Sequence, residues 1–237
     1  MTYKDLRIVF EDNHILVVVK PENVPVQADE SGDIDLLTML KQYLVETYNK
    51  PGEAYLGLVH RLDRPTGGVM VFAKTSKAAA RLCQSIADGE IEKKYLTIVE
   101  GEPRYKADKL TCYLKKFPEN NMVKVVPEMT YGAKYAELDY KVLSTRNEAS
   151  LVLVNLITGR GHQIRVQMAT MGNPIVGDAR YGNGGKTKLP LCLWATELRL
   201  VHPISGKQMD FRVYPPEVAP WTMFDVDSFL NITIKNS

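Results

Sequence analysis

Apolar and polar positions fall in short blocks along the chain, and the period of the blocks changes from one to the next. Residues 6–10 and 15–19 are two runs rich in β-branched side chains, separated by Glu11-Asp12-Asn13-His14, the pattern of two strands joined as a hairpin. Over residues 33–48 the period becomes helical: Leu36, Leu37, Leu40, Leu44, Val45 and Tyr48 recur behind an acidic start, which predicts an amphipathic helix packed on a sheet. Residues 69–74 read as a buried strand. The helix predicted after it has Ser76 to cap it, Gly89 to end it, and Leu82, Cys83 and Ile86 on its inner face. Strands are expected at 94–100, 109–114, 123–126, 134–143 and 150–156. After Gly159-Arg160-Gly161 a helix should run through Met171, with Ile164, Met168 and Met171 on one stripe and Gly172 stopping it. Strands at 191–201 and 209–214 close the chain. Many strands with few helices between them predict an α+β fold around a mostly antiparallel sheet, not alternating βαβ units. No repeat, low-complexity tract or Pro/Gly/Ser-rich linker interrupts the pattern, so the expectation is one domain, residues 1–237.

Composition adds limits. With 237 residues, 45% hydrophobic and 24% charged, the chain can bury a core without disulfide or metal staples. Cys83, Cys112 and Cys192 are scattered, an arrangement that fits a reducing compartment, and each reads as a small buried residue. The four histidines do not fall at ligand spacing with acids or cysteines, so no metal is expected. The first residues lack the apolar stretch of a signal peptide, and no later run approaches the ~20 apolar residues of a membrane helix. A cytoplasmic protein with no membrane partner is the expectation.

Charge changes the picture more. The net value of +2 excludes a strongly basic protein that coats nucleic acid indiscriminately, but it is an average. Residues 1–59 carry five Lys/Arg against ten Asp/Glu, and residues 60–237 carry 25 against 18. Two stretches are especially basic. Residues 104–124 have six Lys/Arg against Asp108 and Glu119, and residues 159–188 have Arg160, Arg165, Arg180, Lys186 and Lys188 against Asp178 alone. These are the candidates for phosphate contacts, although for either one alone a solvated loop is the more ordinary reading.

Two constellations carry candidate chemistry. In His60-Arg61-Leu62-Asp63-Arg64-Pro65-Thr66-Gly67-Gly68, extended chain puts Arg61 and Asp63 on one face and Leu62 on the other. Pro65 favours that extension, and the glycines turn the chain into the next strand. An acid is thereby presented among cations. Spacing leaves two readings open, a salt-bridged surface turn and an ionised carboxylate ready to act as a nucleophile. In Thr158-Gly159-Arg160-Gly161-His162-Gln163-Ile164-Arg165, the glycines allow close approach of a ligand, and Arg165 lies one turn beyond His162, so both can address one site. A helix start with exposed arginines is the alternative. Gly184-Gly185-Lys186-Thr187 resembles part of a nucleotide-phosphate loop, but the first glycine of that motif would fall at Arg180, which rejects it.

At these two constellations the chain resembles the pseudouridine synthases of the RluA type. The stretch His60–Gly68 is similar to the family signature around its catalytic aspartate. Ile8-Val9-Phe10-Glu11-Asp12 through Val17-Val18-Val19-Lys20-Pro21 resembles its opening hairpin, and Glu92-Lys93-Lys94-Tyr95 its tyrosine segment. Gly159–Val166 resembles its arginine motif, with Pro174-Ile175-Val176-Gly177-Asp178 and Tyr181-Gly182 at the expected distance. Leu191-Cys192-Leu193 and His202-Pro203-Ile204-Ser205-Gly206 fit its closing strands. Gly67, Gln167, Trp194 and Gln27 depart from the residues usual in the family, and none of them is the Asp, Tyr or Arg position.

The resemblance implies the pseudouridine synthase fold: a mixed, mostly antiparallel bent sheet flanked by helices and loops, with a central catalytic cleft. It begins directly in the catalytic domain, so no N-terminal S4-type RNA-binding domain is expected. It also implies isomerisation of specific uridines in ribosomal or transfer RNA, without cofactor, by a monomer acting on structured RNA. By resemblance Asp63 is the nucleophile, Arg165 pairs with it, Tyr95 stacks on the base, and Arg61 fills the space that a flipped base leaves. His60, Arg64, Thr66, Arg160, His162 and Gln163 are the further candidates for substrate contact. A catalytically silent RNA-binding factor on the same scaffold and a carboxylate-dependent nucleosidase are the alternatives. The nucleosidase would want a second acid across the bond, and none stands out in these motifs.

Overall fold

Residues 1–182 and 189–234 are described by a computed structural model. In chain order its strands and helices are β1 (Arg7–Glu11), β2 (Ile15–Lys20), α1 (Leu36–Thr47), β3 (Gly57–Leu58), β4 (Gly67–Ala73), α2 (Ser76–Ala87), β5 (Glu92–Glu100), β6 (Ala107–Phe117), β7 (Met122–Val126), β8 (Lys134–Arg146), β9 (Ala149–Leu156), α3 (Gln163–Thr170), β10 (Leu193–Val201), β11 (Gln208–Arg212) and α4 (Val226–Ile234). The chain divides into two units, Met1–Glu92 with Glu197–Val213, and Lys93–Thr196 with Tyr214–Ser237.

In the first unit β2 pairs antiparallel with β1 and with β4, and β3 also pairs with β4. Every residue of β4 and all but Val19 in β2 are buried. A strand covered on both faces can be apolar throughout, which is why these two runs do not alternate. The second half of β10, from Glu197 on, pairs with β11. Helix α1 buries Leu36, Met39, Leu40 and Leu44. It begins at Leu36, later than the predicted 33, because Asp35 is its cap, its side chain accepting from Thr38 N–H at 3.0 Å. The N–H groups of Leu36 and Leu37 are taken by the carbonyls of Pro25 and Val26. Thr75, with extended backbone, caps α2 in place of Ser76. Cys83 is exposed, against the expectation of a buried residue on the inner face. The buried positions of α2 are Ala78 and Leu82, and the residue after Leu82 is turned about 100° away from that narrow stripe.

In the second unit five strands pair antiparallel in the order β5-β9-β8-β6-β7, most of them longer than predicted. Residues 174–176 run beside β5: Val99 bridges Ile175, Val176 N–H donates to Ile98 O, and Cys192 N–H donates to Val176 O. Helix α3 packs Val166 against Leu114, Val123 and Ala136 of β6, β7 and β8. Residues Gln163 through Met168 are all buried, so the predicted apolar stripe is replaced by an enclosed helix whose polar members are inside. Met171 is its C-cap. Nothing in the hydrophobic pattern announced α4. The Gly184–Thr187 segment lies outside the described residues.

Candidate active site

The sequence-predicted residues divide between the units. Asp63, His60, Arg61, Arg64 and Thr66 belong to the first, and Tyr95, Arg160, His162, Gln163 and Arg165 to the second.

In the first unit the segment between β3 and β4 is irregular. Leu62 is buried while Arg61 is exposed and Asp63 is half-buried, the alternation that extended chain demands. The Asp63 carbonyl accepts from Thr66 N–H at 2.9 Å, and this turn over Arg64-Pro65 delivers the chain into Gly67-Gly68, where Gly68 has φ 125°. His60 Nε2 accepts from Val71 N–H of β4 at 3.1 Å, which puts its ring proton on Nδ1. Thr66 Oγ1 is buried and has no hydrogen-bond partner among the described residues. The Arg64 side chain turns outward to Asp33, to Asp29 at 3.5 Å and to Ser31 at 2.8 Å.

The backbone of Arg64 has a different role. Lys20, the last residue of β2, has no exposed surface, and its Nζ donates to the carbonyls of Arg64 at 2.9 Å and of Pro21 at 2.8 Å. Burial pushes the ammonium down to about 7, the charges of Asp63 and Glu22 work against that, and Arg64 adds to it. A cation is therefore built under the loop that presents Asp63.

In the second unit Tyr95 is buried on β5, and Lys93 shares its face by the two-residue period. The Lys93 ammonium lies against the glycine loop, 3.7 Å from where a Cβ on Gly159 would stand, and burial lowers its pKa. Gln163 stitches the loop together: its Oε1 accepts from Thr158 Oγ1 at 2.8 Å and Arg160 N–H at 3.0 Å, and its Nε2 donates to Glu137 O at 3.0 Å. Arg160 Nε donates to Tyr135 O at 2.9 Å.

His162 and Arg165 converge, as their spacing predicted, and what they meet is Tyr181. His162 has a left-handed backbone, φ 55°, and its Nδ1 is 2.7 Å from Tyr181 Oη. That hydroxyl also accepts from Val123 N–H at 2.9 Å. The Arg165 guanidinium lies over the Tyr181 ring at 5.1 Å. Asp178 grips Arg165 with two bonds, 2.8 Å from Nε and 2.7 Å from Nη2, and also accepts from the backbone N–H of Arg180 and Tyr181. Burial alone would raise the Asp178 carboxyl, and the Arg165 bonds with the two backbone donors outweigh it and hold it below the usual carboxylate range. Gly177 before it, φ 82°, admits no side chain, since a Cβ would come within 1.9 Å of Pro190 O. Lys20, Asp178 and Tyr181 were not among the predicted site residues. The only signal for Lys20 was a charge closing an apolar strand just before a proline.

The chain is a member of the RNA pseudouridylate synthase family, whose sequence model matches residues 14–170. Among curated relatives, the ribosomal large subunit pseudouridine synthase D of Zymomonas mobilis is 36% identical over 225 residues, covering 90% of this chain and 70% of that protein. The ribosomal large subunit pseudouridine synthase C of Buchnera aphidicola is 32% identical over 211 residues, 85% of this chain and 65% of that one. The chain thus spans about two thirds of the length of these relatives. The solved structure of human RNA pseudouridylate synthase domain containing 4 has the same fold, with a TM-score of 0.75 at 24% identity over 89% of this chain and 88% of that one. Human RNA pseudouridylate synthase domain containing 1 superposes with the same score at 23% identity, over 98% and 96%.

Proposed function

We propose that the chain works as a single catalytic domain that converts uridine to pseudouridine in ribosomal RNA, with Asp63 as the group acting at the sugar. In the reaction the C1′–N1 bond breaks, the uracil rotates, C5 joins C1′ and a proton passes from C5 to N1, so substrate and product are isomers and no co-substrate is consumed. A carboxylate suits such a step because it can engage an electron-poor C1′ and leave again. Arg165 is the cation of the catalytic set, Tyr95 stacks on the base, and Arg61 takes the place of the flipped base in the RNA. Thr66 and His162 contact the substrate, while Arg64, Arg160 and Gln163 shape the loops that do so. The observation that carries this reading is the buried Lys20 side chain, whose Nζ donates to the carbonyl of Arg64 in the presenting loop and to that of Pro21, and which feels the charge of Asp63. Ribosomal RNA is preferred to transfer RNA because the curated relatives above are named for the large ribosomal subunit. The enzyme acts as a monomer in the cytoplasm. Among the described residues no helix is long and apolar enough to cross a membrane.

The test is release of tritium from RNA carrying 5-tritiated uridine. The wild-type protein should release it without free uracil, and Asp63→Ala should release none while binding RNA within about threefold of wild type, a difference of well under 1 kcal/mol. Full activity in Asp63→Ala removes the assignment, and free uracil in the wild-type reaction identifies a nucleosidase instead.

A further inference from the structure

The β6–β7 hairpin ends in Phe117-Pro118-Glu119-Asn120-Asn121-Met122, none of which is assigned above to the uridine site. Lys115 and Lys124 stand directly opposite each other across the two strands. Both ammonium groups lie over the ring of Phe117, at 5.5 and 5.6 Å from its centroid. Like charges on facing residues repel, and a sheet normally avoids the pairing or places a carboxylate between. Elsewhere, on β8 and in the loop after β7, Glu137 and Asp139 pair with Lys109, and Glu128 accepts from the Tyr113 hydroxyl. Among the described residues neither Lys115 nor Lys124 has an ion-pair partner, whereas Glu119 faces solvent in the turn of the tip. Lys116 is exposed beside them, and in the loop that follows β7 Met129 and Tyr131 are each 94% exposed.

The tip is also held in place. Arg180 Nη1 donates to Asn121 O, and Val123 N–H donates to the Tyr181 hydroxyl. Those contacts come from the same loop whose Asp178 grips Arg165. A lysine pair without a counter-charge, sharing an aromatic ring on a fixed hairpin, matches what single-stranded nucleic acid needs: a phosphate between cations and a flat surface for a base. An acidic peptide would satisfy the lysines but would leave the ring unused.

We propose that this hairpin tip is a second RNA contact, seating a backbone phosphate between Lys115 and Lys124 with an adjacent unpaired base packed on Phe117. The inference rests on the RNA-directed reading above and adds to it a strand of the substrate that the target uridine does not include.

Fluorescence anisotropy of the full chain with a fluorescein-labelled oligouridylate of about ten nucleotides tests it, a length within the span of one single-strand site. Phe117→Ala and the double variant Lys115→Ala/Lys124→Ala should each weaken binding about fivefold or more, and Phe117→Trp should stay within about twofold of wild type. The double variant should also lower the slope of log Kd against log salt by about 1.4, two single-strand phosphate contacts' worth. Circular dichroism should be unchanged in all three. Wild-type affinity and slope in both alanine variants overturn the proposal, as does failure of the wild-type chain to bind the probe at low salt. Loss of binding to labelled polyglutamate with RNA binding intact overturns it in favour of a protein partner. A wild-type chain that binds RNA through the tip yet releases no tritium leaves this proposal standing and removes the catalytic one.

Discussion

Lys20 shows what a single residue can contribute that no pattern announces. An ammonium with no exposed surface is held by two carbonyls and feels the charge of Asp63, and its pKa falls to about 7 from an ordinary value of 10.5. The unfolded chain therefore binds more protons at Lys20 than the folded one between those values, so folding stability rises as pH increases from 7 toward 10 and is lost as pH falls through the folded value. Relative to Lys20→Met, the wild-type protein should gain about 2 kcal/mol between pH 7 and 9, read from urea titrations at each pH. A difference that stays flat over that range shows that the ammonium is not displaced. Thr66 makes the opposite case. Its buried hydroxyl has no partner among the described residues, a state that costs about 1–3 kcal/mol in a free protein. Thr66→Val should therefore melt at the wild-type temperature or above it, and under the proposed substrate contact kcat/KM for tritium release should fall about tenfold. A lowered melting temperature would assign Thr66 to the fold alone.

At the scale of elements, most of what was readable came from period. The two-residue and helical periods located most strands and helices α1, α2 and α3. The start of α1 moved three positions, to where Asp35 caps it and the carbonyls of Pro25 and Val26 take its first N–H groups, and the cap of α2 moved one position to Thr75. Cys83 was misplaced because a surface helix with one narrow buried stripe leaves the next residue in water. Helix α3 was located, but its buried face was not legible. Its first six residues are buried and show no apolar face, and Gln163, Arg165 and Gln167 donate to Glu137 O, the Asp178 carboxylate and Leu110 O, partners far away in sequence. The pair of Arg165 and Asp178 is the sharpest of these. Asp178→Asn should destabilise the protein by about 3–5 kcal/mol, since it leaves a buried guanidinium without its counter-charge. Double replacement, Arg165→Met with Asp178→Asn, should recover most of that stability and none of the activity. Thermal melts with tritium release distinguish this from a site in which Asp178 matters only for packing, where the double variant would be as unstable as the single one.

For the molecule as a whole, the near-neutral net charge conceals residues 60–237, which carry 25 Lys/Arg against 18 Asp/Glu. RNA affinity should fall by about tenfold or more between 50 and 200 mM salt, as expected once a few phosphates are neutralised. A flat response would show that phosphate contacts do not carry the binding. Order and spacing of residues, by themselves, determined the class of fold, the family, and the local presentation of Asp63 on extended chain ahead of a buried strand, because these depend on neighbours within a few positions. Only the tertiary structure decided which charges are buried and what holds them: Lys20 against the backbone of residues 21 and 64, Arg165 in the grip of Asp178, His162 against Tyr181. Each of those pairings closes a long or irregular loop of chain, and its energy comes from exclusion of water, a property that packing creates and a linear sequence does not carry.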